Sequence, residues 1–290
     1  PRVLLDSPID DRDAGILETA KGTLLATTFT SLAYDERILA KDAQKNWPEE
    51  RRTRWLAAHN RVPAPARKSE LGTWMIRSTD GGVTWSPRYD SLVNSPHGPV
   101  SLKDGRMLYA GKGLYKEGSW IGVCESKDDG QSWQRLAQIP TRKGDDSKQY
   151  HELHAVEATN GDLIAHIRNH NKKNAGETLQ SESKDGGKTW SEAHSIGVWG
   201  LPSHLVGLND GRLLMSYGHR RKPYGNQARV STDHGKTWSD PIIVSGDGAG
   251  GDLGYPSTVQ LDDGSMVTVW YEKLTKSSYA VLRQAQWTLS

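Results

Sequence analysis

The octapeptide Ser231-Thr-Asp-His-Gly-Lys-Thr-Trp238, STDHGKTW, has three near-copies in the chain: STDGGVTW at 78–85, SKDDGQSW at 126–133 and SKDGGKTW at 183–190. Repeats on this scale decide the architecture before any single residue is interpreted. The consensus Ser-x-Asp-x-Gly-x-(Thr/Ser)-Trp reads as a hairpin turn. The Asp carboxylate is expected to accept a backbone N–H two residues on, and Gly supplies the positive φ. The four tryptophans (Trp85, Trp133, Trp190, Trp238) are expected to bury their rings between neighbouring sheets, each N–H finding an acceptor.

A second repeat interleaves with the first. It is an apolar run, a turn with glycine, then another apolar run, as in ILETAKGTLLAT, PVSLKDGRMLYAG, AVEATNGDLIAHI, LVGLNDGRLLMSYG and TVQLDDGSMVTVWYE. The turn glycines Gly22, Gly105, Gly161, Gly211 and Gly264 are spaced by 83, 56, 50 and 53 residues. The first interval holds a charged segment, about 36–70, and without its 35 residues the spacing shortens to 48. A period near 50 fits a four-stranded blade. The expectation is all-β: one β-propeller domain over 1–290, five blades by repeat count with six as the alternative. The last unit lacks the octapeptide, and the N-terminal PRVLL is a candidate closing strand. In the insert, Pro48 followed by EERRTRWLAAH predicts one or two helices, expected to cap the pocket as a lid.

Bulk properties narrow the function. The chain has 37 basic and 35 acidic residues, a formal net charge of +2, intermixed along its length. That gives no basic stripe for nucleic acid. No apolar run is long enough to span a bilayer as a helix. The single cysteine, Cys124, excludes an internal disulfide.

Propeller geometry sorts the polar residues. The two strands around each glycine form an antiparallel hairpin, so the start of the first and the end of the second share a rim. The octapeptides lie at the other rim and fold the blades rather than do the chemistry. The site rim then collects Arg12, Asp13 and Asp35 from unit one, and His97 and Lys112 from unit two. Unit three adds His151, Glu152, His154 and Arg168; unit four adds His204, His219, Arg220 and Arg221. Unit five adds Asp252, Tyr255, Tyr271 and Glu272. Glu152 and Tyr255 both stand nine residues before their turn glycines. Convergent Arg, His, Glu, Asp and Tyr mark a candidate site.

These residues resemble the sialidase (neuraminidase) superfamily, and the octapeptide looks like its Asp-box. Arg12, nine residues before KGTLLA, sits where that family has the first arginine of a carboxylate-binding triad. HELHAVEATNGDLIAHIR resembles its Glu-bearing segment, which implies Glu152 as catalytic glutamate and Arg168 as second arginine. YGHRRKPYGNQARVS offers Arg220, or next Arg221, as the third, and GYPSTVQLDDG implies Tyr255 as nucleophile. Asp35 fits the acid/base aspartate by its spacing of 23 residues from Arg12, with Asp13 competing for the role. Three features depart from the family: the usual Ile-Pro after the first arginine is Asp13-Ala14 here, the usual six blades are five by count with the missing unit between Arg12 and Glu152, and His97, His154, His204 and His219 are additional.

The chemistry the resemblance implies suits these residue types. Arginines clamp a carboxylate with fork-like hydrogen bonds. A neutral tyrosine avoids pushing an anion against a carboxylate on the anomeric carbon, and sialidases are a named exception to the two-carboxylate rule. The expected function is an exo-acting hydrolase of an acidic sugar, with no cofactor and no metal, secreted or periplasmic by substrate class. Two alternatives stand beside it: a lyase on uronic-acid glycans using a pocket histidine or Tyr255, and a non-catalytic sugar-binding propeller. Each named residue also has a plain structural use, as inner-strand tyrosine, structural ion pair, turn aspartate or metal-binding histidine.

Overall fold

A computed structural model of the protein describes residues 2–115, 120–275 and 279–289. Sheet one joins β1 (Asp10–Glu18), β2 (Leu24–Ser31), β3 (Thr73–Ser78) and β4 (Tyr89–Asp90). Sheet two joins β5 (Val100–Ser101), β6 (Met107–Lys112), β7 (Ile121–Ser126) and β8 (Gln134–Gln138). Sheet three joins β9 (Tyr150–Glu157), β10 (Leu163–Asn169), β11 (Glu177–Ser183) and β12 (His194–Trp199). Sheet four joins β13 (Ser203–Gly207), β14 (Leu213–His219), β15 (Gly225–Ser231) and β16 (Ile242–Ser245). Sheet five has three strands: β17 (Leu253–Gln260), β18 (Met266–Lys273) and β19 (Ala280–Trp287). Each sheet is an antiparallel meander in chain order, so the molecule is a five-bladed propeller, and the six-blade alternative is not realised.

The period-2 alternation of strand side chains explains why the inner blades are apolar on both faces. On β10, Leu163, Ala165 and Ile167 point into a cluster shared with Leu108, Ile121 and Val123 of sheet two. Ile164, between them, joins Leu205 and Met215 of sheet four. Similar clusters join sheets one and two through Leu25, Met75 and Tyr109, and sheets four and five through Leu214, Ala228 and Met266. Among the described residues no buried apolar cluster joins sheet five to sheet one. Val259, Val269 and Leu282 on one side of that seam and Ile16 on the other stay exposed.

The predicted closing strand does not form. Within PRVLL, Pro1 lies outside the described residues. Val3, Leu4 and Leu5 line a cleft of about 310 Å³ with Ala26, Thr28 and Trp74 of sheet one, and sheet five keeps three strands. Two of these five residues are charged or imino, and an edge pairing offers them no apolar face to bury.

The insert is helical as expected, but with three short α-helices after a π-helical segment rather than one or two helices. It leaves the end of β2 as a π-helical segment (Asp35–Asp42) and continues as α1 (Ala43–Asn46), α2 (Glu49–Asn60) and α3 (Ala64–Ser69). Pro48 is the N-cap of α2, where its missing N–H costs nothing. The insert is anchored by a small cluster of Ile9, Tyr34 and Leu39. It packs on the N-terminal segment.

All four octapeptides share one hydrogen-bond scheme. In 231–238, Ser231 Oγ donates to Asp233 Oδ1 (2.8 Å) and accepts from the Gly235 N–H (2.8 Å). Asp233 accepts from the Thr237 N–H (2.9 Å) and its hydroxyl (2.5 Å). The Asp therefore reaches four residues on rather than the expected two, because Ser231 Oγ already occupies the near position. Trp85 and Trp190 donate to a carbonyl within their own turns, Trp238 donates to Gln180, and Trp133 packs edge-on against Tyr109. The turns of sheets two, three and four are each tied to the preceding blade. Arg77 pairs with Asp129 (2.6 Å), Arg106 donates to Gly186 O (3.1 Å), and Gln180 donates to Gly235 O (2.8 Å).

Ser231→Ala leaves the buried Gly235 N–H without an acceptor and frees Asp233 from its orienting hydroxyl. We expect a loss of about 1–3 kcal/mol in urea denaturation, with chemistry at the opposite rim unchanged. A loss of turnover without a loss of stability would contradict the division between the two rims.

Candidate functional site

Three innermost strands break their register at one place each. Pairing of β1 with β2 shifts between Arg12 and Gly15, pairing of β9 with β10 between Ile167 and Arg168, and pairing of β17 with β18 between Gly254 and Ser257. In these breaks stand Asp13 (φ 52°, with Ala14 beside it), Glu152 (φ 21°) and Tyr255 (φ 54°, with Pro256 beside it). A bulge re-aims a side chain that a regular strand would commit to one sheet face. A positive φ in a non-glycine residue is uncommon, and such strain concentrates at functional sites.

Glu152 and Tyr255 meet across blades three and five. The Tyr255 hydroxyl donates to Glu152 Oε1 at 2.7 Å. Arg168 Nη1 donates to Glu152 Oε2 at 2.6 Å and to the Tyr255 oxygen at 2.9 Å. Burial pushes the Tyr255 phenol well above its usual range, and the Glu152 charge pushes it further. The phenol is therefore neutral and hydrogen-bonded to a carboxylate. Asp13 is pushed up to about 6, first by burial and then by Glu152, against the pull of Arg12 and Arg168. It also acts electrostatically on Tyr255, which places it in the same group.

Arg220 lies beside this triangle, its guanidinium carbon 5.8 Å from the Tyr255 ring centre. Its Nε and Nη2 are buried and have no hydrogen-bond partner. Gly254 makes room for it: at φ +130° a Cβ there would stand 3.3 Å from Arg220 Nη2. A buried guanidinium with open N–H groups is a ready site for an anion. Arg221 turns away, stacking on Trp199 at 3.6 Å, where His219 also packs (6.1 Å). Arg12 is half exposed and paired with Asp10 at 3.5 Å; its link to the group is electrostatic, through Asp13.

The other expected residues lie elsewhere. Asp35 heads the insert, with His59 Nε2 3.7 Å away, and touches none of Glu152, Arg168 or Tyr255. His97, His154 and His204 come from three blades and pack ring on ring, with centroids 4.5 to 5.2 Å apart. Burial holds all three imidazoles neutral. His154 and His204 each accept a backbone N–H, from Leu205 and Thr258. Among the described residues no group of His, Cys, Asp and Glu is arranged to hold a metal ion. Glu272 is buried against Arg283 (2.8 Å) and belongs to sheet five's own packing.

Two flanking residues complete the wall. His170, which the sequence reading missed, accepts from Arg168 Nε at 2.6 Å and packs at a tilt against His151, centroids 4.7 Å apart. Nothing in its turn sequence marks it. Tyr271 lies 5.8 Å from the Tyr255 ring and donates to Asp252 (3.0 Å).

The fold and this cluster define a β-propeller with a buried acid, phenol and arginine group at one rim. A family model described as "BNR repeat-like domain" matches residues 45–269, and the chain belongs to that family, as a divergent member of the sialidase/BNR superfamily. It is 24% identical over 225 residues to a sialidase of Bacteroides fragilis, which covers 68% of this chain and 39% of that protein. The chain thus spans well under half the length of that relative. A protein of unknown function from Dyadobacter fermentans shares the fold over 100% of this chain and 80% of its own, at 23% identity and TM-score 0.76. The NanB sialidase of Streptococcus pneumoniae shares it over 96% of this chain and 56% of its own, at 16% identity and TM-score 0.65. No described helix is long and apolar enough to cross a membrane.

The position of Asp13 has a consequence for stability. Its carboxyl is harder to ionise folded than unfolded, so between about pH 4 and 6 the folded state binds more protons and stability falls as pH rises. Asp13→Asn is expected to remove that slope and to be about 2–3 kcal/mol more stable than wild type near pH 8. Urea denaturation of both proteins at pH 4.5 and pH 8, an arbitrary pair on either side of about 6, checks it. Equal slopes would remove Asp13 from the buried group.

Proposed function

We propose that the chain is an exo-acting glycoside hydrolase on a carboxylate-bearing sugar, with sialic acid as the first candidate. The observation that carries this reading is the Tyr255 hydroxyl held 2.7 Å from Glu152 and 2.9 Å from Arg168, beside the open guanidinium of Arg220. A sugar-binding propeller needs no buried phenol joined to a base.

In this reading Arg220 binds the carboxylate, with Arg12 closing from the exposed side, while Arg168 holds Glu152 and Tyr255 in place. Tyr255 attacks the anomeric carbon as Glu152 takes the phenol proton. Asp13 gives its proton to the leaving oxygen, and the glycosidic bond breaks. Water then attacks the sugar–tyrosine bond, returning a proton to Asp13 while Tyr255 takes its own back from Glu152. Asp13 is preferred to Asp35 because it shares the bulge geometry and the electrostatic group of the other two. The buried histidines take no step. Their ring contacts and the backbone N–H groups that donate to them support a packing role, which also weakens the lyase alternative. Such a substrate is met outside the cytoplasm.

The test is turnover of a sialosyl fluoride and of sialyllactose. Tyr255→Phe is expected to lose at least about a thousandfold on both. Asp13→Asn is expected to lose about 10²–10⁴-fold on sialyllactose and far less on the fluoride, whose leaving group needs no proton. Wild-type rate on sialyllactose should fall above about pH 6, as Asp13 loses its proton. If Asp35→Asn shows the leaving-group-dependent loss instead, the acid is Asp35. No turnover by a folded wild type would discard this sugar, and an ultraviolet-absorbing unsaturated product from a uronic-acid glycan would establish elimination.

A further inference from the structure

A cavity of about 770 Å³ lies between the insert and the N-terminal segment, and none of Glu152, Arg168, Arg220 or Tyr255 lines it. That is within the size range of small-ligand sites. Trp55 of α2 forms part of its wall and is 39% exposed although it is the largest apolar side chain of the helix. Tyr34 (6.2 Å between centroids) and Trp47 (5.2 Å) brace the indole edge-on, so its orientation is set. His59 is fixed in turn by the Tyr34 hydroxyl at 3.1 Å. The facing wall is the chain from Leu5 to Asp11. It brings the carboxylates of Asp6, Asp10 and Asp11 against one arginine, Arg61. Asp11 is positioned by the Ser7 N–H on one oxygen (2.8 Å), and its other oxygen, Oδ1, is buried and has no partner.

An aromatic face opposite hydrogen-bond acceptors has a specific chemical match. A pyranose ring has apolar C–H faces and a belt of hydroxyl donors; the first suits an indole, the second suits carboxylates. Excess negative charge excludes a second acidic sugar by like-charge repulsion. Asp10 links the cavity to the reaction site: it lines the cavity and pairs with Arg12 at 3.5 Å, three residues from Asp13. We infer that the insert builds a binding site for a neutral sugar unit, held between Trp55 and the aspartates of residues 6–11. Under the hydrolase reading, on which this assignment of its role rests, that unit is the leaving group next to the acidic sugar. The insert then selects substrates by what is attached to the acidic sugar, and it is a wall of the site more than a lid over it.

Lactose, which has no carboxylate, tests the cavity without requiring turnover. Calorimetric titration and saturation-transfer NMR should show it binding wild type, about tenfold more weakly in Trp55→Ala, and near wild type in Trp55→Phe. Trp55 is partly exposed, so melting temperatures of the variants should match wild type. In kinetics, Trp55→Ala should raise KM for sialyllactose by a similar factor, leave kcat near its wild-type value, and leave sialosyl fluoride untouched. Absence of lactose binding to wild type, or equal binding by Trp55→Ala, overturns the inference while leaving fluoride turnover, and hence the hydrolase reading, standing. Lactose binding lost in Trp55→Ala with no turnover of either sialoside upholds the site and removes the hydrolase reading instead.

Discussion

A residue in a regular strand can face only one sheet surface or the other, and in a propeller both surfaces are packed against neighbouring blades. Side chains that must converge at the rim therefore have to escape that alternation. The three β-bulges at Asp13, Glu152 and Tyr255 are that escape, and the candidate chemistry depends on them. Each bulge holds a non-glycine residue at positive φ, a conformation that persists only where the surroundings over-determine it. Here the surroundings are the flanking ladder on both sides of each bulge and, for two of the three, the triangle of hydrogen bonds through Arg168.

The rest of the fold is arranged to tolerate this. The octapeptide turns are at the far rim, each with its carboxylate bonded by its own Ser and Thr/Ser, and three of the four with a carbonyl tied to the blade before. Their rigidity is local and does not reach the bulges through any polar chain. Between the rims the blades share apolar clusters, and the three packed histidines fill the middle as neutral rings. A charged imidazole there would face two others across about 5 Å in a dry environment, so burial and mutual repulsion both favour the neutral form.

The sequence made the blade count and the turn positions readable because both recur with a period. All five hairpin glycines, from Gly22 to Gly264, adopt the positive φ that their turns require. The insert was readable from Pro48 and the helix formers after it. Glu152 and Tyr255 stood out by their shared offset of nine residues from a turn glycine. Asp13 stands at that same offset from Gly22, a signal that was present and unread beside the more conspicuous Arg12. Asp35 was chosen by its distance along the chain from Arg12, and it stands at the head of the insert. The contacts of His170 and the ring packing of His97 with His154 and His204 depend on which blades meet, and a local pattern does not encode that.

The two inner arginines are chemically alike and differently employed. Arg168 is committed: Glu152, Tyr255 and His170 take its N–H groups, so it organises the base and the phenol before any ligand arrives. Arg220 is not committed, and two of its nitrogens are buried without acceptors. An unmade hydrogen bond to a buried charged group costs more than a satisfied one contributes. A fold that keeps one arginine engaged and the next one open has left unmet bonding capacity next to the Tyr255 ring. An incoming carboxylate satisfies that point without disturbing the Glu152–Arg168 pair. Binding and activation of the phenol can then be separate tasks in adjacent residues, which is the property that lets a neutral nucleophile stand against an anionic sugar.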